Sequence, residues 1–512
     1  VVAEAEAAAA AVLAAQDADN LKAMKSIQYN RIWAACSLIF LSLMANAQNE
    51  VDALRYSNTS VAGTARSLGM GGAFGAIGAD LSAFWNNPAG IALNKRMSFE
   101  VSLGIQNRTT EAAHLGTARD NSEGRTVLQS LGLVNVRDSK NNPKIRYSFG
   151  IGVANFSNFN QNITIEGNAQ NNTLLNVFAA QANGIAYNEV SDAYPFGAGL
   201  AWESYLIDPL DTLQNTYIAA ENIGRINQRK NINRSGRHSE TTFALGMSLE
   251  EKLMIGMTIG VQSVFFRESS TYTERFVDSG YLNNYTYTED INASGSGLNM
   301  RLGAIYRIGE KLRVGATWQS PTNLVIADAY STSMSSTFVD GAGYSFFSPE
   351  LLSNYNVRVP ARYMASAAFI LGKSGVVSAD YETTHFGRIK MDTRGLSNDY
   401  DFAIENKTIE TIYRRIHRVR TGAEIRIADR FRGRAGVIYE TSPFVNGAAI
   451  NNARMTYTSG FGYRKDSFSI DIAAMYSGQN QDSYWIYDPS FIEETVITNH
   501  LLNIVISAGL RF

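Results

Sequence analysis

The end of the chain sets the terms for the rest of it. In Leu501 to Phe512 the even positions are Leu502, Ile504, Ile506, Ala508, Leu510 and Phe512, while Asn503, Ser507, Gly509 and Arg511 hold odd ones. Successive side chains of a strand point to opposite faces, so alternation over this length is a strand with one apolar and one polar face. The pattern recurs upstream. Leu298, Met300, Leu302, Ala304 and Tyr306 alternate with Asn299, Arg301, Gly303 and Arg307, and Phe468, Ile470, Ile472, Ala474 and Tyr476 with Ser469, Asp471 and Ser477. No apolar run reaches the roughly eighteen residues of a helical membrane span. A barrel that crosses the bilayer with strands averages out in just this way. A soluble sandwich also alternates, but Tyr147, Tyr306, Trp318, Tyr363, Tyr381, Tyr439 and Tyr463 fall near strand ends, as an aromatic girdle requires.

The connections give a topology. Short links fall at Asp138 to Pro143, Leu249 to Glu251, Ile308 to Lys311, Gly372 to Gly375, Ala428 to Arg430 and Arg464 to Asp466. Between them lie long polar stretches: Arg108 to Arg125, Asn158 to His238, Glu268 to Ser294, Ser320 to Asn356, Gly387 to Thr411, Ser442 to Arg454 and Gly478 to Thr498. Short and long alternate throughout, which predicts periplasmic turns, outer loops and an even strand number. The chain reads as all-β, a 14-stranded antiparallel transmembrane barrel over residues 97–512, with 158–238 as its longest outer loop. Outward positions carry almost no charge, because an Arg or Lys at mid-bilayer costs about 2–4 kcal/mol. Inward positions carry Arg418, Arg420, Glu424, Arg426, Arg432, Arg434, Asp380, Glu382 and Asp471. We read these as a mixed-charge network that fixes a plug, in preference to an anion-selective filter.

A plug is present in the sequence. Gly63 to Ala92 holds six glycines between Gly63 and Gly78, interleaved with Ala, Leu, Met, Phe and Ile, and ends in Phe84-Trp85-Asn86-Asn87-Pro88-Ala89-Gly90. Such a stretch bends and packs closely but makes no long helix or strand. Residues 48–96 are expected to fill the lumen as an N-terminal hatch. Met24 to Ala47 has Lys25 and Arg31 before an apolar run, then Ala45-Asn46-Ala47, the pattern of a secretory signal peptide. Cys36, the single cysteine, sits inside that run, so the mature chain has no disulfide framework and no lipid-attachment cysteine. Residues 1–23, Ala-rich and ahead of Met24, read as an over-extended reading frame.

A formal net charge of -2 excludes a nucleic-acid binder that works by its net charge. His114, His238, His385, His417 and His500 are scattered without metal-ligand spacing, and Gly69 to Gly75 lacks the βαβ context of a dinucleotide loop. The expectation is therefore no enzyme, no cofactor and no metal.

Hatch and wall together resemble the FadL family of outer-membrane transporters for hydrophobic compounds, also described as OmpP1/TodX-like, and its Bacteroidota versions in particular. The resemblance covers the mature chain. It rests on Asn87-Pro88-Ala89-Gly90 after the glycine-rich run, on the fourteen strands, on Leu312 to Pro321 as a strand leading into an outer loop, and on the terminal Phe512 as a barrel-assembly signal. It implies passive uptake of molecules such as long-chain fatty acids or aromatic hydrocarbons by a monomer in the outer membrane, its partners being the ligand, surrounding lipid and the assembly machinery. Hatch positions Gly69, Gly71, Gly72, Phe84, Trp85, Asn87, Pro88, Ala89 and Gly90 would gate the lumen above which a greasy site lies. A lateral exit would come from a kink in the third strand. Ile145, Tyr147, Phe149, Ile151 and Val153 point outward there, and the alternation slips at Ala154, Asn155, Phe156 and Ser157. Either a bulge opens the wall or the strand has left the membrane. In the longest loop Phe178, Phe196, Trp202, Tyr205 and Leu206 form either a capture surface for ligand or the loop's own small core. An outer-membrane partner of a secretion system and a general porin are the other readings of the same pattern.

Overall fold

In the computed structural model the described residues are 50–512, apart from 212–214, 222–223, 398 and 446–452. The expected leader at 24–47 and residues 1–23 lie outside them. Among the described residues, nineteen strand segments form one sheet that closes on itself as fourteen antiparallel strands. They are β1 (Ser98–His114), β2 (Thr117–Asp138), β3 (Ile145–Asn158, resuming at Gln161–Gln170), β4 (Arg225–Leu249), β5 (Leu253–Phe276), β6 (Leu282–Ile308) and β7 (Leu312–Gln319 and Thr322–Phe338). Then follow β8 (Leu351–Val359 and Arg362–Ile370, with Gly343–Phe347 paired above it), β9 (Gly375–His385 and Lys390–Asp392), β10 (Arg415–Arg426), β11 (Phe431–Glu440), β12 (Arg454–Lys465), β13 (Phe468–Tyr484) and β14 (Thr495–Arg511). Closure runs from Ser98↔Arg511 to Ala113↔Val496, and Phe512 N donates to Met97 O.

The alternation that predicts the strands also sorts their faces. On β3 Tyr147, Phe149 and Ile151 are exposed where Ser148 and Ala154 are buried, and on β14 Leu502, Ile506 and Leu510 are exposed where Asn503, Val505 and Ser507 are buried. The exposed face is the apolar one. That inversion of a soluble protein is what a lipid-facing band demands, so the chain is a membrane-spanning barrel of the outer-membrane type.

Several expected loops are strand. The stretch Arg108 to Arg125 is the upper part of β1 and β2, joined by Leu115 and Gly116 alone, both at positive φ as a two-residue hairpin turn needs. Glu268 to Ser294 and Ser320 to Asn356 are likewise mostly ladder, and both ends of 158–238 belong to β3 and β4. β6 has 27 residues, where crossing the bilayer takes about 9–11. Beyond the lipid both faces of a strand meet polar surroundings, so the Asn/Ser/Thr-rich composition marks the exit from the membrane and not from the sheet.

The hatch fills the lumen at the end with short turns. Helix α1 (Glu50–Ser57) leads to α2 (Ala65–Leu68), capped by Thr64, and then to two 3-10 turns, Leu81–Phe84 and Pro88–Leu93, capped by the side chains of Asp80 and Asn87. At the opposite end, the connection from β3 to β4 folds as α3 (Leu175–Ala182), α4 (Val190–Ala193), α5 (Ala198–Glu203) and a small hairpin, Ile207–Asp211 with Thr216–Ala219. A further helix, α6 (Ala403–Ile412), lies between β9 and β10.

Candidate functional site: hatch, broken strand and cavity

The hatch reaches the wall by two kinds of contact. Toward β9 to β13 it is held by charge. Arg66 makes a two-pronged pair with Glu424 at 3.0 Å on each prong, Arg434 donates to the same carboxylate at 2.7 Å, and Arg434 pairs with Asp471 at 2.8 Å. Burial alone would pull the Arg66 guanidinium down, and Glu424 beside it more than offsets this, so Arg66 stays charged. Asp380 accepts the backbone N–H of Phe74 and of Gly75, each at 3.0 Å. Arg418 donates to Thr59 O at 3.0 Å while held by Glu382 and Glu440, and Arg420 donates to Asn86 Oδ1 at 3.3 Å. The inward charges thus form two buried clusters, one around Glu424 and one around Glu382, and both pin the plug. Two of the expected charges stand outside both: Arg426, exposed beside a short turn with Asp429, and Arg432, which forms no ion pair among the described residues.

Toward β2 to β6 the hatch sits on apolar surface and bare backbone. Phe84 lies over Gly150 and Gly152 of β3, and Trp85 packs edge-on to it while its Nε1–H donates to Thr242 Oγ1 at 3.0 Å. Asn87 is the stitch of its motif: Nδ2 donates to Gly75 O at 2.8 Å and to Ala304 O of β6 at 3.2 Å, and Oδ1 accepts from Ala89 N–H at 3.2 Å. Pro88 and Ala89 press on Gly256 so closely that a Cβ there would stand 2.3 Å from a backbone carbon. Gly90 meets Gly78 within the hatch; on the charged side too the backbones approach closely, Gly69 meeting Gly460 of β12 while Gly71 and Gly72, both at positive φ, turn the chain against β10 and β11. The matching wall glycines escaped the sequence reading; their signal is a glycine on the inward parity of adjacent strands at one height.

The third strand carries a bulge where its alternation slips and is interrupted after Asn158. Its ladder with β4 shifts register between Asn155 and Ser157, and its ladder with β2 ends at Ser130↔Ala154. Phe156, skipped by both ladders, is 6 % exposed and packs inward with Leu81, Phe84 and Trp85. Above the break, β3 resumes at Gln161 paired with β4, while Thr117 to Leu128 of β2 pair with β1. Side chains alone bridge the seam, as in the Arg119–Glu166 pair at 3.0 Å. The hatch holds the bulge directly: Ser60 N–H donates to Phe156 O at 3.1 Å and Ser157 Oγ to Asn58 O at 3.4 Å.

A cavity of about 430 Å3 lies against this break, lined by Asn155 to Phe159 and by hatch residues Leu54 to Val61. Its lining is amphipathic, unlike the greasy surface that the resemblance implies for a ligand site. Leu54, Phe266 and Met475 supply apolar surface, while Gln106, Gln129, Arg108 and Arg454 supply donors. Arg108 donates to Asn158 O at 3.3 Å, and neither it nor Arg454 forms an ion pair among the described residues.

The five outer-loop residues do not form one surface. Phe178 and Leu206 are buried in a core that the loop shares with the outer ends of the strands, where Phe178 packs on Tyr287 of β6. Trp202 packs against Tyr217, and the carbonyl of Phe196 accepts from Tyr287 Oη at 2.7 Å. Tyr205 alone is 53 % exposed, its ring 4.6 Å from that of Tyr344.

No family model and no curated relative matches the sequence. Solved structures do. A Pseudomonas aeruginosa FadL homologue matches with a TM-score of 0.52 at 13% identity, over 89% of this chain and 99% of that one. The Pseudomonas putida toluene transporter TodX matches with a TM-score of 0.50 at 14% identity, over 89% and 99%. At these identities the likeness is one of fold.

Proposed function

Starting from a chain that has the fold of FadL-type outer-membrane barrels, we propose that it takes up hydrophobic molecules with an anionic head, long-chain fatty acids foremost, without an energy source beyond the concentration gradient. The observation that carries this reading is the amphipathic cavity against the broken third strand. An acyl chain gains about 0.8 kcal/mol for each CH2 it buries, and a carboxylate finds charge-assisted donors in Arg108 and Arg454. A plain hydrocarbon would leave both guanidinia without an ion pair. The hatch closes the lumen below, so the ligand leaves sideways along the seam between β2 and β3, where no backbone ladder has to be broken. Because Asn58 and Ser60 of the hatch hold the bulge, movement of α1 and the bulge are coupled. The large lumen filling and the solid seat of the hatch support a carrier path over general diffusion.

The test is uptake of labelled oleate, with toluene as second substrate, by cells lacking their own transporter and expressing residues 24–512. Saturable oleate uptake, lost when Ala154 to Ser157 is replaced by an uninterrupted alternating strand, is the expected result. Toluene uptake without oleate uptake would overturn the head-group reading. Absence of both from a correctly inserted barrel would turn the assignment toward the secretion-partner class.

A further inference from the structure

On the underside of the hatch, at the end of the barrel with the short turns, a recess of about 330 Å3 opens between hatch residues Ile77, Gly78 and Ala79 and the wall. Arg313, Lys373, Arg432, Arg464 and Arg511 line it, and none of them forms an ion pair among the described residues. Two further cations on its border are engaged, Arg66 with Glu424 and Arg426 with Asp429. Glu424 is the one carboxylate in the lining and is shared by Arg66 and Arg434. Asp80, Glu100 and Asp471 lie in a smaller recess behind Arg464 and Arg511, where Asp80 is held by Thr64 and Asp471 by Arg434. Nη1 of Arg432 is shielded from solvent and donates to nothing.

Five cations without an ion pair around one concavity, with carboxylates only behind Arg464 and Arg511, are an arrangement that folding does not ask for, since like charges gathered in a recess repel one another. What answers them is an anion with several oxygens, because planar guanidinium forks match phosphate geometry and a concave wall of one sign concentrates its field. We propose that this recess is an oxyanion site for a phosphate group, the group coming either from free phosphate compounds or from the head of an acidic phospholipid at the barrel rim. Arg313 also donates to Ile77 O at 2.9 Å, so a phosphate bound here ties the underside of the hatch to β7, β11, β12 and β14. This site is separate from the uptake path and stands or falls independently of it.

The experiment uses the full chain in two settings. In detergent, calorimetric titration with inorganic pyrophosphate reads the free anion. In lipid nanodiscs, the melting temperature with phosphatidylglycerol against phosphatidylcholine reads the head group. Binding in the first setting, or a higher melting temperature only with the acidic lipid in the second, supports the site and names its source. Either signal should weaken at least about tenfold in Arg432→Gln/Arg464→Gln, weaken with added salt, and persist in Lys144→Gln, a surface cation on another turn. Should the double variant fail to fold, Lys373→Gln on the exposed turn should still weaken binding about threefold. No binding in either setting, or binding untouched by both sets of variants, overturns the proposal.

Discussion

The two flanks of the hatch are built differently, and the difference shows which side is free to move. Toward β9 to β13 the plug is held by buried ion pairs and by Asp380 on two backbone amides. Toward β2 to β6 it rests on aromatic rings and on glycines, with hydrogen bonds at Trp85, Asn87 and Ser60 and one exposed pair, Lys95 with Glu251, at the rim; glycines of β10 to β12 seat the other flank as well, so the buried charges are what sets the two apart. Charge networks have few alternative geometries once buried, whereas an apolar seat slides with little loss. The broken strand lies on the seated flank, and the cavity runs from it across to Arg418, Glu440 and Arg454 of the charged flank. A hatch that stays fixed by its charged flank while its seated flank shifts opens the cavity toward the seam without unplugging the lumen, and the comparison can be broken at either flank.

The largest effect belongs to the charged flank. Glu424→Gln leaves the Arg66 and Arg434 guanidinia buried beside a neutral amide, and removing one partner of a buried pair costs about 3–5 kcal/mol. The hatch should become open to protease from the periplasmic side while the barrel keeps its heat-resistant migration in a gel. A hatch as protected as before would mean that the ion pairs are spectators. Second comes the seat. Gly256→Val drives a side chain into the backbone of Pro88 and Ala89, an overpacking of about 1–3 kcal/mol, and should loosen Pro88 to Leu93 while the Arg66–Glu424 pair holds. If this variant exposed α2 as fully as Glu424→Gln does, the two flanks would be one cooperative unit.

How much of this was legible depended on what a residue's neighbours in sequence can say about its neighbours in space. The strands were, because a lipid-facing side and a lumen-facing side impose period two on every one of them, down to Leu502 and Asn503. The hatch was, because the glycine run and Asn87-Pro88 are local. The slip at Ala154 to Ser157 was visible as a break in parity, but Gly236 opposite it was not. A Cβ there would meet Phe265 O at 2.0 Å, a contact that depends on β5. The outer ribbons were read as loops because polarity was taken for irregularity. Among the loop aromatics, nothing in sequence distinguishes Tyr205 from Leu206; a turn at φ 58 puts one outside and the other in the core.

The smallest effect tests whether the hatch is a part in its own right. Pro88 opens the 3-10 turn Pro88–Leu93 directly after its capping Asn87. Its ring narrows the unfolded chain's choices, and Pro88→Ala should release about 0.4–1 kcal/mol of that advantage while leaving the hydrogen bonds of Asn87 to Gly75 and Ala304 in place. Hydrogen exchange at residues 89–94 should then quicken about two- to fivefold. Amides of β5 and β6, which touch the same turn but draw their protection from ladders running the length of the barrel, should not change. Loss of the barrel's heat resistance in this variant would contradict the division between hatch and wall, because it would make a single turn in the lumen a condition for closing the sheet around it.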